Sequence, residues 1–197
     1  MKAVRISLSS AVLVLLAACS QVSLVPPGKT EIQGRFTVDN KTSWNRIAEG
    51  SRESWTKDGP LLQTLAFQVD IEEGENIFQR EGAEDGPGSK YLNMPTYRKG
   101  MTEPEIGEMI LASISQFGAT NARSLGLNPA AFGGRSGFRM EIDYTDTDGL
   151  DKRMLVFGHN AGDRMHLIVY TAPNLHFFER DRPHVEEIVK SLVFKAT

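Results

Sequence analysis

The stretch FRMEIDY (138–144) alternates apolar Phe138, Met140, Ile142 and Tyr144 with charged Arg139, Glu141 and Asp143. Successive side chains of a strand point to opposite faces, so this spacing predicts a strand with one polar face. Working outward, residues 145–150 (TDTDGL) turn into a second strand over 151–159. Residues 160–163 (NAGD) turn into a third over 164–172. If both turns close tightly, Asp143 faces Lys152, Met140 faces Leu155, and Leu155 faces Ile168. Met154, Val156, Leu167 and Val169 occupy the other side of the last two strands. Both faces of this antiparallel meander are therefore apolar, which predicts helices above and below the sheet.

Two segments can supply those helices. Thr102 and Glu105 have capping-box spacing, and Ile106, Met109, Ile110, Ile114 and Phe117 then recur at helical intervals up to Gly118. Near the C-terminus Asp181 is placed to cap a helix with Pro183 in its first turn, and Val185, Ile188, Val189 and Leu192 form an inner stripe. The first half predicts a strand pair over 32–39 and 43–47, and a stronger strand over 61–71 after the turn signal Asp58-Gly59-Pro60. Residues 80–100, with Gly82, Gly86, Gly88, Gly100 and two prolines, read as a long surface loop. Within it Tyr91, Met94, Tyr97 and Arg98 are the candidate partner-binding residues, because loops on a rigid scaffold often carry recognition.

The C-terminal half has a strand, then a strand ending in Tyr170-Thr171-Ala172-Pro173. The aromatic pair Phe177-Phe178 follows, then a helix closing with Ile188-Val189-Lys190-Ser191-Leu192-Val193-Phe194. This order is similar to the PsbP-like and Ran-binding Mog-type families. The resemblance covers residues 135–197 and, more loosely, the helix at Thr102. It implies an α+β fold, an α/β/α sandwich around a mostly antiparallel sheet. Its motifs are structural, and the partners of those families are not carried over with them.

Residues 1–18 have the parts of an export signal: Lys2 and Arg5, then an apolar stretch over 6–18. That stretch is shorter than the ~20 residues a membrane span needs, so a cleaved leader fits. Leu16-Ala17-Ala18-Cys19 resembles the lipobox of bacterial lipoproteins: small residues enter a peptidase groove, and the Cys19 thiol takes the acyl group. Cys19 is the only cysteine of the chain. Leader, lipobox and solitary thiol agree, against an ordinary secretory signal or a buried thiol. The resemblance implies a mature chain starting at acylated Cys19. It places the protein in the bacterial cell envelope, anchored in the bilayer, with Ser20 favouring the outer membrane facing the periplasm. Residues 19–30, with Pro26 and Pro27, read as a tether, and 31–197 as a single domain.

The whole chain carries a net charge of −3; residues 1–18 hold two basic and no acidic residues, so the chain without them carries −5. A mildly acidic chain without a basic run is a poor nucleic-acid binder, since such binding rests on clustered Lys and Arg. Asp146-Thr147-Asp148-Gly149 fails the EF-hand pattern, which needs an acid at position 144 and a glutamate at 155. The four histidines lack paired-ligand spacing, so no metal or cofactor is expected. Ser136, followed directly by Gly137, does not fit a nucleophile elbow. His166 reads as a hydrogen-bonded core histidine. The expectation is a non-catalytic envelope module that binds a protein partner or serves structure. The rival is a carrier of a small hydrophobic ligand, or a small enzyme, with a pocket between sheet and helix near His166 and Tyr170.

Overall fold

The computed structural model describes residues 21–49, 52–78 and 93–195; the leader, Cys19, Tyr91 and most of the 80–100 loop lie outside them. The strands are β1 (Gln21–Val25), β2 (Gly28–Ile32), β3 (Phe36–Asn40), β4 (Trp44–Glu49), β5 (Arg52–Thr56), β6 (Thr64–Ile71), β7 (Thr120–Phe132), β8 (Arg135–Thr145), β9 (Asp151–Asn160), β10 (Met165–Pro173) and β11 (Val193–Phe194). The helices are α1 (Glu103–Gln116) and α2 (Glu179–Lys190). Eight strands form one sheet in the order β1-β4-β5-β6-β10-β9-β8-β7, and β11-β3-β2 form a second. Every pairing is antiparallel. The class is therefore a mostly antiparallel sheet with, among the described residues, two α-helices.

The alternation of apolar residues divides the interior in two. Leu155, Phe157, Ile168 and Tyr170 face Val185, Ile188 and Val189 of α2, together with Ile32, Phe36 and Val38 of the small sheet. Met154, Val156, Leu167 and Val169 face the other way, toward Ile106, Met109, Ile110 and Ile114 of α1. Each such side chain, fully buried, contributes about 1.5–3 kcal/mol. α1 starts as its sequence requires: Glu105 N–H bonds the Thr102 hydroxyl, and the Glu105 carboxylate takes the Thr102 N–H at 2.7 Å.

Several expectations need correction. Residues 21–29 are not a free tether: β1 pairs with β4 over its whole length, and Val25 is buried opposite Trp44. Residues 28–40 form a hairpin, because Gln33 and Gly34 take φ of 46° and 71° and turn the chain between β2 and β3, so the 32–39 segment pairs with β2 and β11 and not with the strand over 44–49. The first meander turn is one residue longer than predicted, with residues 146–150 left between the paired strands. Asp146 Oδ1 accepts the N–H groups of Asp148 and Leu150, so pairing continues to Thr145↔Asp151. Asp143 then faces Arg153 instead of Lys152, and Met140 faces Val156 instead of Leu155. A one-residue slip moves a whole strand face, and here it puts Met140 on the α1 side. Leu155 faces Tyr170, two residues from the expected Ile168, which preserves the faces. α2 begins at Glu179, ahead of Asp181, so Asp181 is no cap.

Candidate functional site

Three arrangements hold side chains placed for chemistry or recognition. The first lies where β6 ends and β10 begins. His166 and His159 are directly paired across β10 and β9, with rings stacked 6.2 Å apart. His166 Nδ1 accepts the Asp70 N–H at 3.1 Å, so its proton sits on Nε2, 3.9 Å from Asp70 Oδ1. Burial holds this imidazole at a pKa of about 4, against the pull of the Asp70 carboxylate. His159 Nδ1 lies 2.7 Å from the Ser136 carbonyl, which can only accept, so that nitrogen carries the hydrogen. Arg35 and Arg164 both pair with Asp70. Each histidine thus has a ring nitrogen committed to the backbone, in keeping with a structural role. Tyr170 is likewise buried, with its hydroxyl donating to the Phe177 carbonyl at 3.0 Å.

The second is a cavity of about 350 Å³ between α2 and the sheet, with Ala131, Phe157 and Val189 as apolar lining and Arg139, Glu186 and Lys190 as polar lining. Arg139 bridges to Glu186 at 3.3 Å. Neither His166 nor Tyr170 lines this cavity. Gly133 shapes its rim: with φ of 58° it makes the β7–β8 turn, and a Cβ there would come within 2.3 Å of Leu192. Among the described residues no group of three His, Cys, Asp or Glu could hold a metal ion. No described helix is long and apolar enough to cross a membrane.

The third is a surface. Leu61 is 82% exposed and Leu175 87% exposed, with Leu62 and Leu150 also open to solvent. They sit on three separate loops, before β6, after β10 and between β8 and β9. The register Thr171↔Thr64 and Pro173↔Lys152 brings these loops to one end of the sheet. Lys152 Nζ, 3.3 Å from the Leu61 carbonyl, ties two of them together. His176, with φ 74° and ψ −60°, bends the chain after Leu175 in a strained turn. Beneath this end, Asp181 is buried and receives Lys57 at 2.8 Å, Gln63 at 2.9 Å and Arg180. Burial alone would raise the Asp181 pKa, but Arg180 and Lys57 outweigh it and hold the carboxyl below its usual range.

The candidate loop residues are redistributed. Met94 and Tyr97 are buried, and the Tyr97 hydroxyl donates to Asn160 Oδ1 at 2.8 Å. Both are core residues, which removes them from direct recognition; their aromatic and flexible types serve packing equally well. Arg98 is exposed, and Tyr91 lies outside the described residues. The leucine end was missed because its members are scattered single residues in turns, with no periodicity to mark them.

No protein-family model matches the chain, and no curated protein sequence matches it. Among solved structures it is similar to the solution structure of cyanobacterial PsbP (CyanoP) from Synechocystis sp. PCC 6803. The identity is 10% and the TM-score 0.49, over 91% of this chain and 99% of that one. The structural neighbour is PsbP-like; a likeness of this degree speaks to neither activity nor partner.

Proposed function

We infer that the chain is a bacterial envelope lipoprotein, anchored in the bilayer through acylated Cys19 and facing the periplasm from the outer membrane. Its domain binds a protein partner and does not turn over a substrate. The finer layering, a PsbP-like α/β/α sandwich, belongs to the same reading and is supported by α1 and α2 packing on opposite faces of the main sheet.

The observation that carries the partner role is the leucine end. Leu61, Leu62, Leu150 and Leu175 present apolar side chains from three loops beside charged Asp58, Lys152 and Arg180. An exposed apolar patch with a polar rim marks an interaction site. The test compares cross-linked envelope complexes of the wild type with those of a Leu61→Asp/Leu175→Asp variant. A protein retained by the first and lost by the second supports the reading; identical recovery removes it. Cys19→Ala tests anchorage separately, by loss of palmitate incorporation and of precursor processing.

The cavity between α2 and the sheet favours one alternative, a carrier of a small ligand. Its volume fits a small-molecule site. Arg139 and Lys190 would then favour a ligand with an anionic head and an apolar body against Phe157 and Val189. A fatty acid co-purifying with the wild type, and lost with Val189→Asp, would move the assignment there.

A further inference from the structure

β1 is an outer strand of the main sheet, and the residues along it are Gln-Val-Ser-Leu-Val, without charge or proline. Its pairing with β4 is regular from Gln21↔Ala48 to Val25↔Trp44, without a bulge. Val25 docks the strand on the α2 side of the sheet, in the cluster that holds Trp44 and Trp55. Val22 and Leu24 point to the other side and are 63% and 66% exposed. Val22 lies directly across from half-buried Ile47, which extends the apolar strip onto β4. The outer edge of the strand thus offers backbone groups to whatever lies beside it, next to an apolar stripe.

Cys19 stands two residues before Gln21. Two residues span at most about 7 Å of extended chain. If Cys19 carries the acyl chains, β1 begins within that distance of the bilayer surface, and no longer tether is left to hold the domain away. We propose that the strip formed by Val22, Leu24 and Ile47 seats in the interfacial layer of the bilayer that anchors Cys19, so that the domain rests on the membrane by its β1 edge. This rests on the acylation reading above. Lipid is the occupant because of this proximity. The headgroup layer also keeps water and polar groups within reach of the open edge, which the hydrocarbon core would not. β1 runs from Gln21 toward the end of the sheet where the 59–63 turn carries Leu61. The leucine end is then directed away from the point of anchorage.

The test uses the full acylated protein reconstituted into phosphatidylethanolamine–phosphatidylglycerol vesicles. Acylation consumes the Cys19 thiol, so an introduced cysteine is the sole reactive one. An environment-sensitive fluorophore is placed at Leu24→Cys and, as control, at Leu125→Cys on exposed β7 at the opposite edge. Lipids spin-labelled near the headgroup should quench the fluorophore at position 24 and leave that at 125 unquenched. Palmitate incorporation is read on the same samples. Palmitate present, with both labels unquenched or both equally quenched, overturns the seating and leaves the acylation reading intact. No palmitate in the wild type overturns acylation itself, and the seating with it. Shielding of position 24 from aqueous iodide only when envelope proteins are added assigns the edge to a partner strand and overturns the lipid proposal.

Discussion

β7 and β1 are the two outer strands of one sheet, yet only β7 carries devices that keep an edge from pairing with another chain. β7 runs thirteen residues and contains Pro129, which offers no N–H. Its register against β8 shifts twice, between Thr120 and Arg123 and between Ser124 and Gly126, and Asn121 sits at φ 55°. Arg123 projects an ion pair to Asp143 at 2.9 Å. Bulges, proline and charge are the usual protections of a solvent-facing edge. β1, with five uncharged residues in regular register, has none of them. An edge lacking such protection is an open template for another surface, which fits the seating proposed for β1, whereas β7 carries the protections of an edge that faces solvent.

The comparison breaks at its root if β1, β4 and β5 are not a firm part of the fold. Trp55 is fully buried on β5, packs on Phe67 at 4.8 Å between ring centroids, and donates to Glu53 at 2.7 Å. Trp55→Ala is expected to cost roughly 3–5 kcal/mol in chemical denaturation; a cost under about 1 kcal/mol would mean this side of the sheet is loosely held. Val25→Ala, which weakens the buried anchor of β1, should cost about 2 kcal/mol. Hydrogen exchange should show the loss concentrated in β1 and β4, with β7 unchanged.

Between the edges, the sheet interior holds a buried titratable group, His166. The His166 pKa falls from 6.5 to about 4 on folding, so the unfolded chain binds the proton first. Stability is then full above pH 6.5 and declines as the pH falls toward 4. His166→Gln should flatten that decline in denaturation curves taken across the window; an unchanged slope would assign the acid sensitivity to other groups. The smallest effects on folding come from the edges themselves. Leu24→Lys and Pro129→Val should each change stability by no more than about 0.5 kcal/mol. Their effect on self-association of detergent-free protein should be opposite, Leu24→Lys lowering it and Pro129→Val raising it in sedimentation. Movement in the same direction would erase the distinction between the two strands.

The meander and both helices were legible because their residues are buried on a definite face, and burial imposes a period. Ile106 to Ile114 and Met154, Val156, Leu167 and Val169 took the faces that their spacing implied. β7 was invisible for the converse reason: most of its residues are exposed, so nothing selects an alternation. β1 and β2 were read as a tether because Pro26 and Pro27 dominate that stretch, yet both prolines fall between the strands, where they remove no ladder bond. The turn register depended on the Asp146 side chain capping two N–H groups, a choice that the composition of the turn leaves open. At the candidate site, Tyr97 and Met94 look alike in sequence whether they await a partner or fill the core. Only the Asn160 amide, which accepts from Tyr97 and donates to the Met101 carbonyl at 2.7 Å, decides between the two.

The small sheet constrains the order in which the chain can assemble. β11 pairs with β3, and Ser191 accepts the Asp39 N–H at 2.8 Å across 152 positions of sequence. Phe36 and Phe194 meet edge to face at 6.0 Å, so one of the two interiors is closed by residues from both extremes of the domain. A partial chain emerging from synthesis lacks that closure, and contacts this distant in sequence form late. The incomplete polypeptide therefore stays unable to complete its core, which keeps it threadable. If residues 1–18 act as the export leader proposed above, late closure would let the chain cross a membrane as an unfolded polymer and become a domain only on the far side.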